Sequence, residues 1–168
     1  MIEASMLKKN SRQSSITLLL FVLILAASLV VLACKSTQEA TNTYSTSQAA
    51  ANEVVAAQAL RTISAQQQFY FATRGNNSYG TFDQLVQAGA LDNRFSGPTP
   101  IIGGYLFTLR LSPPAGGPPT AYSVNADPQQ TAGRSINGAR HLYTDSDSNG
   151  VIRANATEPA TSSDPPLQ

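Results

Sequence analysis

The clearest pattern in the chain is a helical repeat of apolar residues between residues 49 and 73. The apolar positions that recur on one face of a helical period are Ala56, Leu60, Ile63 and Tyr70. Good helix formers fill the positions between them, and Gly75-Asn76 supplies a stop signal because both residues tolerate a left-handed turn. The pattern predicts one amphipathic helix over residues 49–73, whose apolar face must be covered by the rest of the domain.

A shorter helix is predicted over Phe82–Ala88. Thr81 and Gln84 have the spacing of a capping box, in which each side chain bonds the backbone N–H of the other residue. Gly89 follows as a stop signal. The residues expected on the buried side of this helix are Phe82, Leu85, Val86 and Leu91.

The second half of the chain alternates short apolar runs with Gly- and Pro-rich segments, which favours strands over long helices. The predicted strands are Gly103–Leu111, Ala121–Asn125, Arg140–Thr144 and Val151–Ala154, the last two joined as a hairpin by Asp145–Gly150. The tail, residues 156–168, is rich in Pro, Ser and Thr and is expected to be loosely ordered. The sequence therefore predicts an α+β domain over residues 49–155, with the long helix packed on an antiparallel meander of three or four strands.

Residues 1–34 have the three-part layout of an export signal. A basic segment at residues 8–12 precedes an uncharged apolar run at residues 16–33. The run ends in the sequence VLAC at residues 31–34, which resembles the lipobox of bacterial lipoproteins. That resemblance implies that Cys34, the only cysteine of the chain, is lipidated and becomes the mature N-terminus.

The alternative for this segment is an uncleaved transmembrane helix. At about 1.5 Å per residue, residues 16–33 would span roughly 27 Å, close to the hydrocarbon thickness of a bilayer. Because basic flanks stay on the cytoplasmic side, the domain is expected on the periplasmic or extracellular side on either interpretation. Residues 35–48 are dominated by Ser, Thr, Asn and Gln and are predicted to be a polar tether.

Charge is low and nearly balanced along the chain. There are 11 Lys and Arg residues against 10 Asp and Glu residues, and the net charge is +1. Because part of the basic charge precedes the apolar run, the remaining chain is close to neutral. The sequence has no basic stripe of the kind that binds nucleic acid, so no nucleic-acid partner is expected.

Ordered motifs over residues 49–168 resemble those of type IV pilin-like and pseudopilin-like proteins. The matching segments are ANE at 51–53, ALRTI at 59–63, YGT at 79–81, AGALD at 88–92, YSVNADP at 122–128, GVIR at 150–153 and PPLQ at 165–168. The resemblance implies a long helix packed on a small antiparallel sheet. It also implies a role at the bacterial cell envelope, in a type IV pilus or a type II secretion system.

Two features of the N-terminal region differ from the pilin pattern. Pilins carry a Gly before their cleavage point and, early in the mature helix, a Glu that helps subunits enter a filament. Residues 15–18 match only the apolar part of that start, and the polar tether at 35–48 interrupts what should be one continuous helix. A pilin-like domain re-anchored as a lipoprotein or membrane-bound protein fits these residues better than a filament subunit.

The segment Asp145–Gly150 (DSDSNG) is the sharpest candidate for a binding site. Asp145, Asp147 and Asn149 place oxygen ligands at alternate positions, as in the first half of a calcium loop, and some pseudopilins hold calcium near this end of the fold. An EF-hand needs a bidentate Glu at loop position 12, where this chain has Ala156. Since Asn-Gly is a strong hairpin signal, the segment predicts a hairpin turn, with calcium binding at these three residues as the alternative.

The sequence contains no recognisable catalytic constellation. His141 is the only histidine and has no acidic neighbour along the chain, so it lacks partners for a triad or a zinc site. We therefore expect a non-enzymatic structural or interaction protein, with the membrane and envelope, pilus or secretion proteins as partners. The alternatives are a divergent minor pilin or pseudopilin, and an envelope ligand-binding protein or metal-dependent enzyme, which would need a convergent polar cleft.

Overall fold

A long helix packs against one face of a five-stranded antiparallel sheet in this α+β fold. The computed structural model describes residues 46–112, 117–129 and 139–168. The elements are α1 (46–73), α2 (Phe82–Gln87), a 3-10 helix (Asn93–Phe95), β1 (Ile101–Ile102), β2 (Tyr105–Ser112), β3 (Ala121–Pro128), β4 (His141–Asp145) and β5 (Arg153–Asn155). The strands lie in the sheet in chain order, so each one pairs with its neighbour in the sequence.

The core lies between the apolar face of α1 and the inner face of the sheet. Ala56, Leu60 and Ile63 are completely buried, which confirms the predicted helical face, and Tyr70 is half-buried at its edge. The sheet contributes alternate residues of its strands, since side chains on a strand point to opposite faces. The inward residues of the three longest strands include Tyr105, Phe107, Tyr122, Val124, Ala126 and Leu142.

Helix α1 already includes residues 46–48, which the sequence assigned to the polar tether. The other candidate features of the N-terminal region, the apolar run at 16–33 and Cys34, lie outside the described residues. Within the part of the chain that the structure describes, no helix is both long enough and apolar enough to cross a membrane.

Helix α2 begins with the predicted capping box. The Thr81 hydroxyl accepts a hydrogen bond from the Gln84 backbone N–H at 3.2 Å, and Gln84 Oε1 accepts from the Thr81 N–H at 2.8 Å. The helix ends at Gln87, one residue before the predicted end, and Gly89 adopts a φ of +69°. Local sequence signals therefore define this helix closely.

The sheet has more strands than the three or four predicted. Gly103 and Gly104, expected at the start of a strand, instead form the two-residue turn of a hairpin between β1 and β2. Both have positive φ values, +59° and +75°, which such a turn requires and which glycine adopts without steric cost. The turn pairs Ile102 with Tyr105 and so creates the additional strand.

The β4–β5 hairpin is displaced slightly from its predicted bounds. Val151 and Ile152, predicted to open the last strand, belong to the connection instead. The Val151 N–H donates to the Ser148 carbonyl at 3.0 Å, and the Ile152 carbonyl accepts from the Leu167 N–H at 2.7 Å. Because these backbone groups bond to the turn and the tail, β5 begins only at Arg153.

The C-terminal tail, for which the sequence predicts loose order, is held against the sheet. The Ala154 N–H donates to the Pro165 carbonyl at 3.0 Å, so the tail pairs with the outer edge of β5. Ala160 is 2% exposed, and the Arg153 guanidinium donates to the Asp164 carbonyl at 2.7 Å. These contacts depend on partners in β5 and the rest of the sheet, so the composition of the tail does not reveal them.

Candidate functional site

The segment Asp145–Gly150 forms the turn of the β4–β5 hairpin. Asp145 Oδ1 accepts hydrogen bonds from the backbone N–H groups of Asp147 at 3.1 Å and Ser148 at 2.7 Å, and Oδ2 accepts from the Tyr143 hydroxyl at 2.9 Å. Asn149 and Gly150 both have positive φ, as the turn requires. Oδ1 of Asp145 therefore organises the turn, while Oδ2 links it to Tyr143 of β4.

The other two calcium candidates make fewer contacts. Asp147 is exposed and accepts a hydrogen bond from the Ser146 hydroxyl at 3.3 Å, while Asn149 is exposed at the turn. The residues that the structure describes contain no cluster of three or more His, Cys, Asp or Glu side chains that could hold a metal ion. Calcium binding at Asp145, Asp147 and Asn149 stays the alternative to a plain hairpin turn.

His141 has an acidic partner that the sequence did not reveal. Its Nδ1 lies 2.6 Å from Asp127 Oδ1, and both side chains are about three-quarters buried, with 21% and 28% of their surface exposed. The two residues are distant in the chain, but the antiparallel register pairs Ala126 with Leu142 and so brings them side by side. The expectation that His141 has no acidic partner is therefore wrong, because the fold places Asp127 beside it.

A polar groove of about 370 Å³ lies on the outer face of the sheet, which points away from α1. We call it the sheet groove. Its lining residues are Thr108 and Arg110 of β2, Ser123, Asn125 and Asp127 of β3, Tyr143 of β4, and Pro159, Ala160, Thr161 and Ser162 of the tail. The six lining residues of the strands occupy the alternate positions that do not point toward α1, so strand periodicity gathers them on one surface.

One wall of the sheet groove is fixed by hydrogen bonds between the tail and the sheet. The buried Asn125 amide donates to the Ala160 carbonyl at 2.7 Å. Asp164 Oδ2 accepts from the Thr161 N–H and hydroxyl at 2.7 and 2.9 Å, and its Oδ1 accepts from the Asn155 amide at 2.9 Å. These hydrogen bonds lower the pKa of Asp164, which stays ionised while it holds the wall.

The floor of the sheet groove combines a neutral phenol with separated charges. Burial, with the nearby Asp145 carboxylate as a further cause, raises the pKa of Tyr143 to about 12, so its hydroxyl remains a donor near neutral pH. Arg110 is exposed, and its guanidinium forms no hydrogen bond or ion pair with any of the described residues. Asp127 supplies a carboxylate at the other end, where its Oδ1 contacts the neighbouring His141.

An ion pair joins the N-terminal half of α1 to the residue that precedes β4. Arg140 Nη2 and Nε donate to the two oxygens of Glu53 at 2.6 and 3.1 Å. The Arg140 backbone N–H also lies 3.3 Å from Glu53 Oε2, and the Arg140 carbonyl accepts from the Tyr105 hydroxyl at 3.1 Å. The hydrogen bonds to Glu53 raise the pKa of the Arg140 guanidinium. This bidentate pair fixes the orientation of α1 on the sheet.

Comparisons with protein-family models, with curated proteins and with solved structures find no match for this chain.

Proposed function

We propose that this protein is an exported, membrane-anchored protein of the bacterial cell envelope, whose α+β domain acts as a structural or interaction component. The observation that carries the proposal is the order of features along the chain. A basic segment, an apolar run and Cys34 precede a helix that packs on an antiparallel sheet. Anchoring through a lipid on Cys34 would hold the domain on the periplasmic or extracellular side.

The pilin-like motifs support an interaction role and agree with the described contacts. Glu53, from the ANE motif in α1, pairs with Arg140 just before β4, and Tyr122 from the YSVNADP motif donates to the Ser64 hydroxyl at 3.0 Å. Motif residues thus join the helix to the sheet, which is the arrangement that the resemblance implies. The proposed activity needs no catalytic group.

A divergent minor pilin or pseudopilin is the second candidate. One observation favours it: α1 includes residues 46–48, so the polar segment between the apolar run and the helix is no longer than residues 35–45. A shorter interruption is closer to the continuous helix of a filament subunit. This candidate requires that residues 16–33 remain as a membrane helix.

The intact mass of the full chain, purified from the membranes of a bacterial host, distinguishes these two candidates. We expect a mature chain that begins at acylated Cys34, and we expect a Cys34→Ala variant to lose this processing. Ser28→Ala, a small substitution within the apolar run, is the matched control and should be processed normally. An unprocessed chain whose mass is unaffected by Cys34→Ala would contradict the lipoprotein and favour the retained helix of a minor pilin.

A further inference from the structure

The sheet groove has the composition of a ligand site rather than of an ordinary solvent-exposed sheet face. Three strands form its floor, the bonded tail segment 159–162 forms its wall, and Asn125 is buried at the junction of the two. Ligand sites are concave and carry a few fixed polar groups that orient the ligand. The wall gives the groove its concavity, and the strands fix the polar groups.

The charges of the groove lie at opposite ends of its floor. Arg110 pairs in register with Ser123, and Asp127 pairs with Leu106, four residues away along both strands. At about 3.4 Å per residue, the two charged positions are separated by about 14 Å along the strand direction. The row between them is neutral, because Thr108 is paired with Asn125 and Asn125 with Tyr143.

The groups without partners define what a ligand must offer. Within the described part of the chain, neither the Arg110 guanidinium nor Asp127 Oδ2 has a hydrogen-bond partner. A guanidinium binds a carboxylate through two parallel hydrogen bonds, and a carboxylate oxygen accepts from a hydroxyl. The hydroxyls of Thr108 and Ser162, which line the groove between them and along the wall, can each donate and accept.

These features exclude other classes of ligand. A polyphosphate or nucleic acid would need several unpaired cations, whereas Arg110 is the single cation among the described lining residues. A lipid tail would need an apolar channel, whereas eight of the ten residues that line this groove carry a hydroxyl, an amide or a charge. A hydroxyl-rich ligand with one carboxylate satisfies both ends and the neutral centre.

We propose that the sheet groove binds an acidic saccharide, a short sugar chain that carries a carboxylate. Its carboxylate is held by Arg110, its hydroxyls bond to Thr108, Ser162 and Asp127, and its ring lies over Tyr143. The inference goes beyond the proposed envelope role and uses only residues of the described domain. A failed sugar titration and an unprocessed Cys34 would therefore be separate results.

The test is titration calorimetry of the detergent-solubilised full chain with a panel of hexuronate disaccharides that carry one carboxylate each: glucuronosyl-glucose and galacturonosyl-galactose. The corresponding glucosyl-glucose and galactosyl-galactose are the neutral counterparts, and acetate is the bare carboxylate. We expect saturable binding of at least one hexuronate, and affinity at least about tenfold weaker for its neutral counterpart and for acetate. The absence of saturable binding by every hexuronate would overturn the proposal, and equal affinity for acetate would overturn its saccharide part.

Two charge-matched variants locate the bound ligand. Arg110→Gln should weaken hexuronate binding at least about tenfold without altering the fold, because the side chain is exposed and unpaired among the described residues. Arg61→Gln removes the same charge from the exposed surface of α1 and should leave the affinity unchanged. Asp127→Asn should weaken hexuronates and neutral sugars by similar factors. Equal losses in Arg110→Gln and Arg61→Gln would show non-specific attraction and refute the site.

Discussion

Gln67 places a fully buried amide within the apolar face of α1. Its Nε2 donates to the Gly80 carbonyl at 2.7 Å, and its Oε1 accepts from the Gly80 N–H at 3.0 Å. The Tyr70 ring lies beside this contact, since a Cβ built on Gly80 would be 3.0 Å from it. The two hydrogen bonds therefore tie the C-terminal half of α1 to the segment that leads into α2.

Replacing Gln67 with leucine should lower the free energy of unfolding. Each of the two Gly80 groups left buried without a partner costs about 1–3 kcal/mol, or about 2–6 kcal/mol together. The apolar surface of a buried leucine offsets about 1.5–3 kcal/mol of this loss. The expected net effect is a destabilisation of about 2 kcal/mol, a large fraction of the roughly 5–15 kcal/mol typical of a domain.

Gln67→Glu tests the same two hydrogen bonds, because the stability of this variant should depend on pH. A protonated carboxyl group has one donor and one acceptor, like the amide, whereas an ionised carboxylate cannot donate to the Gly80 carbonyl. Burial will raise the pKa of this introduced group above its usual value of about 4.3. The contribution to stability is then fully present below pH 4.3 and is lost as the pH rises through the folded-state pKa. If burial raises the pKa of this carboxyl group by about 3, the free energy of unfolding falls by about 4 kcal/mol once the group is ionised.

The assay is thermal unfolding of the full chain in mild detergent, followed by circular dichroism between pH 4 and pH 7. Gln68, an exposed neighbour on the same helix, supplies the matched controls Gln68→Leu and Gln68→Glu, which should melt close to the unmodified protein at every pH. Parallel pH profiles for Gln67→Glu and Gln68→Glu would refute the argument. So would an unchanged melting temperature in Gln67→Leu.

Three further predictions concern the turns and the tyrosines. A Cβ on Gly75 would lie 2.0 Å from a backbone carbonyl oxygen three residues later, so Gly75→Ala should melt well below Gly97→Ala. A Cβ on Gly97 meets open space, so that variant carries only the backbone strain of φ +89°, about 1–2 kcal/mol. A lower melting temperature for Gly97→Ala than for Gly75→Ala would contradict the packing argument. Asp145→Ala removes the acceptor of two backbone N–H groups and should cost about 1–2 kcal/mol, whereas Asp145→Asn should cost less. Adding calcium or a chelator should leave the melting temperatures of the unmodified protein and of Asp145→Ala unchanged. If calcium raised the melting temperature of the unmodified protein but not that of Asp145→Ala, the metal site would be established instead. Burial raises the pKa values of Tyr105 and Tyr143 to about 12, above an unfolded value of about 10. Their stabilisation should be complete below pH 10 and lost toward pH 12, and ultraviolet absorbance titration beside unfolding measurements would show whether the two changes coincide.

The helices could be predicted because their signals are local. The repeat that includes Leu60 and Ile63 places the core face of α1, and the Thr81–Gln84 capping box defines the start of α2. The first strand was missed because Ile101–Ile102 has only two residues, too few to show alternation. Its existence depends on pairing with β2 across a glycine turn, which is a tertiary property.

The site residues show the same division between local and non-local information. The turn at Asp145 could be predicted from its own six-residue segment. The contact between Asp127 and His141 could not, because it depends on the register of β3 and β4. The buried amides of Gln67 and Asn125 were also missed, since their partners are backbone groups that only the folded chain brings within reach.

The C-terminal tail links the sheet groove to the edge of the sheet. Asn125 and Arg153 each donate to a tail carbonyl at 2.7 Å, and residues 165–167 hydrogen-bond to the backbone of β5 and the residue before it. The tail thus forms one wall of the groove and also covers a strand edge whose backbone groups could otherwise pair with another chain. A substitution that releases the tail must alter the groove and expose this edge together, so its effect on sugar binding would be ambiguous. Arg110 takes part in none of these hydrogen bonds between the tail and the sheet. A loss of sugar binding in Arg110→Gln therefore identifies the groove as the binding site.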